Sequence, residues 1–454
     1  MDRARKIPTL DERFAEGRKL RTKASRASHA DWHPTRSRRD PVERVIESSR
    51  GRVPELLPIR YARMLQSPFA FFRGAASIMA ADLHHTSRTD LRVQACGDCH
   101  LLNFGMFATP ERRRIFDIND FDETLPAPWE WDVKRLAASF VIAGRNNRFS
   151  GTDCRAAASA CARSYRENMW VHARQTTLEA WYSRIDDVFD SVHDPELRRF
   201  YEREWRKATR RDHTAEHANL SHVARGKPRI HDDPPLVYHP SGAHKDRFDG
   251  DARRALRRYR ESLPEDRRPL FDRYQLGDLA MKVVGVGSVG TWCGVALFLA
   301  SANDPLYLQI KEARASVLEP FAGKSALDNH GERVVVGQRL MQAASDIFLG
   351  WTRGDGGRHF YLRQLRDFKI KPAVELMRPW NLERYAELCG KALARAHARS
   401  GDSAVLAGYM GKSKQFESAI TRFATDYAKQ NESDYDEFVA AARKGRFPVG
   451  DAGL

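Results

Sequence analysis

The stretch Val93–Thr124, VQACGDCHLLNFGMFATPERRRIFDINDFDET, constrains this chain more than any other. It gathers Asp98, His100, Asn103, Asp117, Asp120 and Asp122 between short apolar runs. Leu91 to Ala95 alternate as a strand entering a loop does, Ala108 to Arg113 reads as a charged turn, and Ile115, Phe116 and Ile118 alternate again. Two short strands joined by a turn are expected, with carboxylates, an amide and an imidazole at their ends. Such residues also cap turns. An oxygen-rich set beside apolar strands nevertheless suits Mg2+, which takes one or two carboxylates and leaves room for water and phosphate oxygens. Phosphoryl transfer uses that arrangement. One aspartate positions or deprotonates the acceptor, an asparagine a few residues on holds metal, and an aspartate on a following strand holds metal between the phosphates. Asp98 and Asn103 fit the first pair and Asp120 the second; Asp122 is a further metal candidate and His100 a further catalytic one.

Within the stretch Asp278–Glu312, Gly285, Gly287 and Gly290 spell G-x-G-x-x-G around Ser288. The pattern serves both dinucleotide folds and phosphate-covering hairpins, and context separates the two. A dinucleotide fold needs a helix to open at the glycines, whereas Thr291 to Ala300 is rich in Val, Trp, Phe and Leu and reads as a strand. After the turn SANDP, Leu306 to Ile310 makes another strand ending at Lys311. Backbone amides of such a hairpin can cover phosphates, and Lys311 can reach them as a point charge; an edge-strand lysine would look the same. Glu319 and Glu332 are the candidate partners of Lys311.

The other segments set domains and exclusions. Residues 1–53 are basic and poorly periodic, as in LRTKASRASHADWHPTRSRRD, and read as a flexible or surface-draped arm rather than a nucleic-acid binder. Residues 54–270 read as mainly helical, with a polar connection at SHVARGKPRIHDDPPLVYHPSG. Residues 271–375 read as a small β-rich unit and 376–454 as helices. Arg60, Arg63 and Arg73 could meet phosphate or pair with Asp82 or Asp90. Asp132 reads as a helix cap and His397 as a helix-end residue. A net charge of +16 across 454 residues favours anionic partners, whether nucleotide, nucleic acid, acidic protein or membrane surface, without choosing among them; an acidic acceptor is one such partner. Six cysteines make no disulfide framework, and neither a signal-peptide core nor a bilayer-length apolar run is found, so a cytoplasmic protein without membrane attachment is expected. Cys96-Gly97-Asp98-Cys99-His100 also spells C-x-x-C-H, a haem-attachment or dithiol signature, although no export signal precedes it and LLNFG after it is a poor helix.

The blocks SPFAFFRGAA, CGDCHLLNFG, FDINDFDET, PWEWDVKRLAAS, LARAHARSGD and GYMG resemble a bacterial domain-of-unknown-function family, number 2252 (DUF2252), itself similar to protein-kinase-like and aminoglycoside-phosphotransferase-like folds. The resemblance runs over most of the chain from about residue 54. Gly97, Asp98 and Asn103 match the phosphotransferase loop pattern H-G-D-x-x-x-x-N, with Cys96 in place of the leading histidine. Asn119 to Asp122 resembles the metal-binding D-F-G element, and Asp132 the structural aspartate of the next helix. In those folds the glycine loop and lysine precede the catalytic loop, whereas here they follow it. The segment LARAHARS, which looks like the helix leading into the catalytic loop, comes later still. The resemblance therefore implies a circularly permuted, two-lobed α+β fold with a small antiparallel sheet lobe and a larger helical lobe. It further implies an ATP- and Mg2+-dependent phosphotransferase acting on a small-molecule or protein acceptor. A catalytically inactive nucleotide-sensing or protein-binding module is the alternative.

Overall fold

Trp129–Asn146 is buried from Trp129 through Gly144. A helix enclosed on every side is one against which others pack, and its buried Glu130, Asp132, Lys134 and Arg135 must find partners inside the protein. In the computed structural model, which describes residues 7–186, 188, 194–210, 220–224, 227–234, 236–240, 243–283, 289–365 and 369–450, this helix sits between the short strands that carry the acidic cluster and the last helices of the chain.

In chain order the first part comprises helices α1 (Leu10–Lys19) and α2 (Pro68–Gly74), and strands β1 (Arg92–Ala95), β2 (Phe104–Ala108), β3 (Arg114–Ile118) and β4 (Leu125–Pro128). Helices α3 (Trp129–Asn146) and α4 (Gly151–His172) complete it. The middle part holds β5 (Ser221–Ala224), β6 (Lys227–Ile230), β7 (Val237–Tyr238), α5 (Ala243–Ser262), β8 (Gln275–Lys282), β9 (Cys293–Ser301) and β10 (Asp304–Ala313). It continues with α6 (His330–Met341), β11 (Gly350–Arg353) and β12 (His359–Gln364). The chain closes with α7 (Pro379–Ala398), α8 (Ser403–Met410) and α9 (Gln415–Arg443). Helix takes 52% and strand 16%, an α+β protein with small antiparallel sheets.

The acidic stretch departs from the expected pair of strands. It supplies β1, β2 and β3, and β1 pairs with β4 while β2 pairs with β3, so two separate two-stranded ladders frame the cluster. The main sheet has six antiparallel strands in the order β11-β12-β10-β9-β8-β7. Its edge strand β7 comes from the stretch expected as a polar connection, which also forms the β5–β6 hairpin. Because side chains alternate across a strand, Leu306 and Leu308 of β10 pack with Leu256 and Tyr259 of α5, while Tyr307 enters a smaller cluster with Val295 and Leu297. Lys311 shares the parity of Tyr307 and therefore faces away from α5. Along the helical body α7 runs against α4 at close range: a Cβ at Gly390 would lie 2.3 Å from the Cys161 carbonyl oxygen.

Residues of the basic N-terminal segment contact the last helices. Arg13 Nε and Nη2 pair with both Asp402 carboxylate oxygens at 2.8 and 2.6 Å, and Arg21 donates to the Tyr409 and Gly408 carbonyls at the end of α8. Arg38 bridges Asp82 and Asp434. No helix among the described residues is long and apolar enough to cross a membrane.

Candidate functional site

β1 ends at Ala95, and the next two backbone amides, Cys96 and Gly97, donate to Asp132 Oδ2 at 2.6 Å and Oδ1 at 3.0 Å. This corrects the reading of Asp132 as a cap of its own helix. The residue before α3 is Pro128, with no side-chain cap, and the carboxylate caps the neighbouring loop instead. His397, expected at a helix end, is fully buried; its Nε2 lies 3.2 Å from Asp132 Oδ2 and its Nδ1 2.9 Å from the Tyr165 hydroxyl. Gly97 has φ +84°, and a Cβ there would fall 2.3 Å from the Glu123 carbonyl oxygen, so the turn requires glycine on both counts. Beyond it the Asp98 carbonyl accepts from Asn103 Nδ2 at 2.6 Å, which leaves Oδ1 as the free ligand atom of the amide. The Asn103 carbonyl in turn accepts from the Asn119 amide at 2.7 Å and so ties the loop to the segment bearing Asp120 and Asp122.

The Asp98 carboxylate is 20% exposed. Its Oδ1 accepts from Arg135 Nε at 2.8 Å and from Nη2, while Oδ2 lies 3.8 Å from His100 Nε2. Arg135 also donates to the Phe72 carbonyl at 3.0 Å and lies 4.2 Å over the Phe72 ring, which joins α2 to the loop. His100 is buried with no partner on Nδ1; burial holds its pKa at about 3, so the ring is neutral. Asp117 belongs to the scaffold. It is fully buried, with Oδ1 accepting from Arg395 Nη2 at 2.6 Å and Oδ2 from the Ala343 amide at 2.8 Å.

Lys311 comes to this loop from β10, where it sits in register with Cys293 and Tyr361. Its Nζ lies 2.7 Å from Asp122 Oδ2 and 3.8 Å from Asp120 Oδ1. Asp122 Oδ1 accepts from the Tyr361 hydroxyl. Neither Glu319 nor Glu332 is the partner of Lys311. Desolvation, then the Asp122 charge, raise the Asp120 carboxyl above its ordinary range. Burial would raise Asp122 as well, but the charge and hydrogen bond of Lys311 outweigh it and hold Asp122 low. Arg363 adds a second cation: its Nη1 donates to the Asn119 carbonyl at 3.2 Å, and its neighbours Tyr361, Asp120 and Asp122 outweigh its burial and raise its pKa. Arg333 of α6 secures the Asp122 and Thr124 carbonyls from behind.

Asp98, His100, Asn103, Asp120, Asp122 and Lys311 thus come together. Of the glycine-loop expectation, Gly285, Gly287 and Ser288 lie outside the described residues. Gly290, at φ +84°, accepts the Val53 amide on its carbonyl at 2.7 Å and packs against Arg52. Arg135 and Arg363 were not among the expected site residues; only their place in the fold marks them. Arg73 and Lys371 stand near the cluster as well.

Among the described residues no three His, Cys, Asp or Glu side chains form a metal cage. The donors present, Asn103, Asp120 and Asp122, are all oxygen and fit a hard cation completed by phosphate and water. Cys96 and Cys99 are buried thiols. For Cys96 a hydrogen bond with Cys99 lowers the pKa, but burial and the surrounding carboxylates carry it up to about 11. Burial raises Cys99 well above its ordinary value too. Dithiol chemistry asks for the opposite, an exposed thiol of low pKa. A cavity of about 410 Å³ lies on the Ile310 face of the sheet, against α5 and away from Lys311.

No curated protein and no solved structure matches this chain. Residues 52–441 match the model of DUF2252, described as an uncharacterised protein conserved in bacteria, and the chain belongs to that family.

Proposed function

We propose that the protein is a kinase-like phosphotransferase that uses ATP and Mg2+ to phosphorylate a hydroxyl or amine acceptor. The observation that carries this reading is Lys311: a buried strand lysine set 2.7 and 3.8 Å from two aspartates that adjoin the Asp98–Asn103 loop. Asn103, Asp120 and Asp122 would hold the metal, which when bound neutralises charge on the phosphates. Lys311 and Arg363 would face those phosphates from the sheet side. Asp98 Oδ2, the oxygen that Arg135 leaves free, would take the acceptor's proton as the acceptor's O or N bonds to the γ-phosphorus and the bond to ADP breaks.

A permuted two-lobed kinase-like architecture is part of the proposal. It draws support from the Gln94 amide, which donates to Ser400 Oγ at 2.9 Å and brings the end of LARAHARSGD beside the strand entering the Asp98 loop. Near residue 450 the chain returns to residue 58, with the Gly450 amide on the Pro58 carbonyl at 3.2 Å, and segments that meet in this way make rearranged connectivity tolerable. The grip of Arg135 on Asp98 favours a second reading, a nucleotide-binding module without turnover.

A thermal-shift titration with ATP, with and without Mg2+, tests the proposal. A ligand at 100 times its dissociation constant stabilises by about 2.7 kcal/mol. A magnesium-dependent rise that Asp120→Ala abolishes is the expected result; no rise at millimolar ATP would remove the nucleotide site.

A further inference from the structure

Arg73 is a half-buried cation for which the proposed reaction has no role. It lies in the last turn of α2 with Nε enclosed and without a hydrogen-bond partner, and it forms no ion pair among the described residues. Enclosing a guanidinium nitrogen unpaired is costly, and a native orphan of this kind calls for an explanation such as a ligand. The place of α2 supplies one. Arg135, which grips Asp98, also donates to the Phe72 carbonyl, so Arg73 is fixed one residue from an anchor to the catalytic loop. Its charge faces Asp98, Glu375 and Asp120.

Lys371 is solvent-exposed and follows Ile370. Ile370 exchanges backbone hydrogen bonds with Met106 of β2, at 3.2 and 2.8 Å, and so fixes Lys371 next to β2. Lys371 likewise has no ion pair among the described residues, and its charge opposes that of Arg73 while facing Asp120. Two like charges held together beside a reaction centre are relieved by an anion between them, and an arginine fork with a lysine point charge suits carboxylate or phosphate. A third orphan, His100 Nδ1, is buried in the same loop.

Lys311 and Arg363 reach the site from the sheet. Arg73 and Lys371 come to it from the helical body and from the segment paired with β2. We infer that Arg73 and Lys371 form an anion seat for the acceptor, which therefore carries a carboxylate or phosphate group besides the hydroxyl or amine that is phosphorylated. The seat follows from the unpaired cations; assigning it to an acceptor rests on the phosphotransferase reading.

Titration calorimetry with inorganic phosphate, and separately with malonate, tests the seat in protein saturated with Mg2+ and the non-hydrolysable analogue AMP-PNP. The wild type should bind one of the two anions, and the preferred one names the group. Arg73→Gln and Lys371→Gln should each weaken that binding about tenfold, or about 1.4 kcal/mol, while Arg73→Lys retains part and AMP-PNP affinity stays unchanged in all three. Equal anion affinity in Arg73→Gln and wild type overturns the inference, as does competition between anion and AMP-PNP, which would give Arg73 to the donor. If the anion binds in an Arg73-dependent way but AMP-PNP does not bind at all, the seat stands and the phosphotransferase reading fails. Binding of AMP-PNP with no anion binding gives the reverse.

Discussion

His397 Nε2 lies 3.2 Å from Asp132 Oδ2 across 265 residues of sequence, and both side chains are buried. The same carboxylate accepts the Cys96 and Gly97 amides, so one buried group fixes the end of α7, the start of α3 and the Asp98 loop together. Asp132→Ala would strand two amides and an imidazole, and should cost about 3–5 kcal/mol in urea unfolding. Asp132→Asn, which keeps the shape and one acceptor oxygen, should cost less. A loss under about 1 kcal/mol in the alanine variant, near the net worth of one hydrogen bond, would mean that the loop finds another acceptor.

Lys311 and Asp98 should separate by their kinetic signatures. Lys311→Met removes the cation beside Asp120 and Asp122 and should weaken ATP binding. Asp98→Asn should leave nucleotide affinity intact and lower turnover by about 10²- to 10⁴-fold. Calorimetry for affinity, with single-turnover kinetics once an acceptor is found, distinguishes the two. Unchanged turnover in Asp98→Asn would take Asp98 out of the mechanism.

Arg38 holds Asp82 at 2.9 Å and Asp434 at 2.6 Å, with all three side chains at most 12% exposed. Replacing Arg38 by alanine leaves two carboxylates buried and uncompensated, and a loss of about 3–5 kcal/mol is expected. The double variant Arg38→Ala, Asp434→Asn should recover part of it. Failure of the second change to restore any stability would show that the charges are relieved in some other way.

His29, from the N-terminal segment, bonds the Tyr409 hydroxyl; burial and then the Lys134 charge hold its pKa at about 3, against 6.5 in a free chain. Between those values the unfolded chain binds a proton that the folded chain refuses. Stability therefore falls as pH drops below about 6.5, by up to about 1.4 kcal/mol per pH unit for one such group. His100 acts in the same direction. Urea midpoints at pH 7 and pH 5 should differ for the wild type and differ less for His29→Gln. An identical fall in both would mean that the protonation of His29 is not involved.

Much of the site was legible in the sequence because its ligand types sit close together in the chain. Asp98, Asn103, Asp120 and Asp122 span about two dozen residues, and the strand ending near Lys311 announces itself by its apolar run. What stayed hidden depends on contacts between distant segments. The pairing of β1 with β4 leaves no local pattern, since Leu125–Pro128 carries two prolines and reads as a turn. The partner of Lys311 could not be chosen between Glu319 and Glu332 because it was neither; Asp122 lies 189 residues upstream. Asp132 stood where helix caps stand, and only the fold turns it toward another loop. Arg73 could be named from sequence as a phosphate candidate, but its lack of a protein partner could not.

The contacts of the N-terminal segment impose an order on the birth of this molecule. Arg13 finds Asp402 and Arg21 finds the Tyr409 carbonyl, partners 389 and 388 residues downstream. During synthesis those first helices leave the ribosome long before α8 and α9 exist, and at about 5–20 residues per second they wait tens of seconds for their seat. The basic surface that closes over the helical body is thus made long before the helices on which it rests.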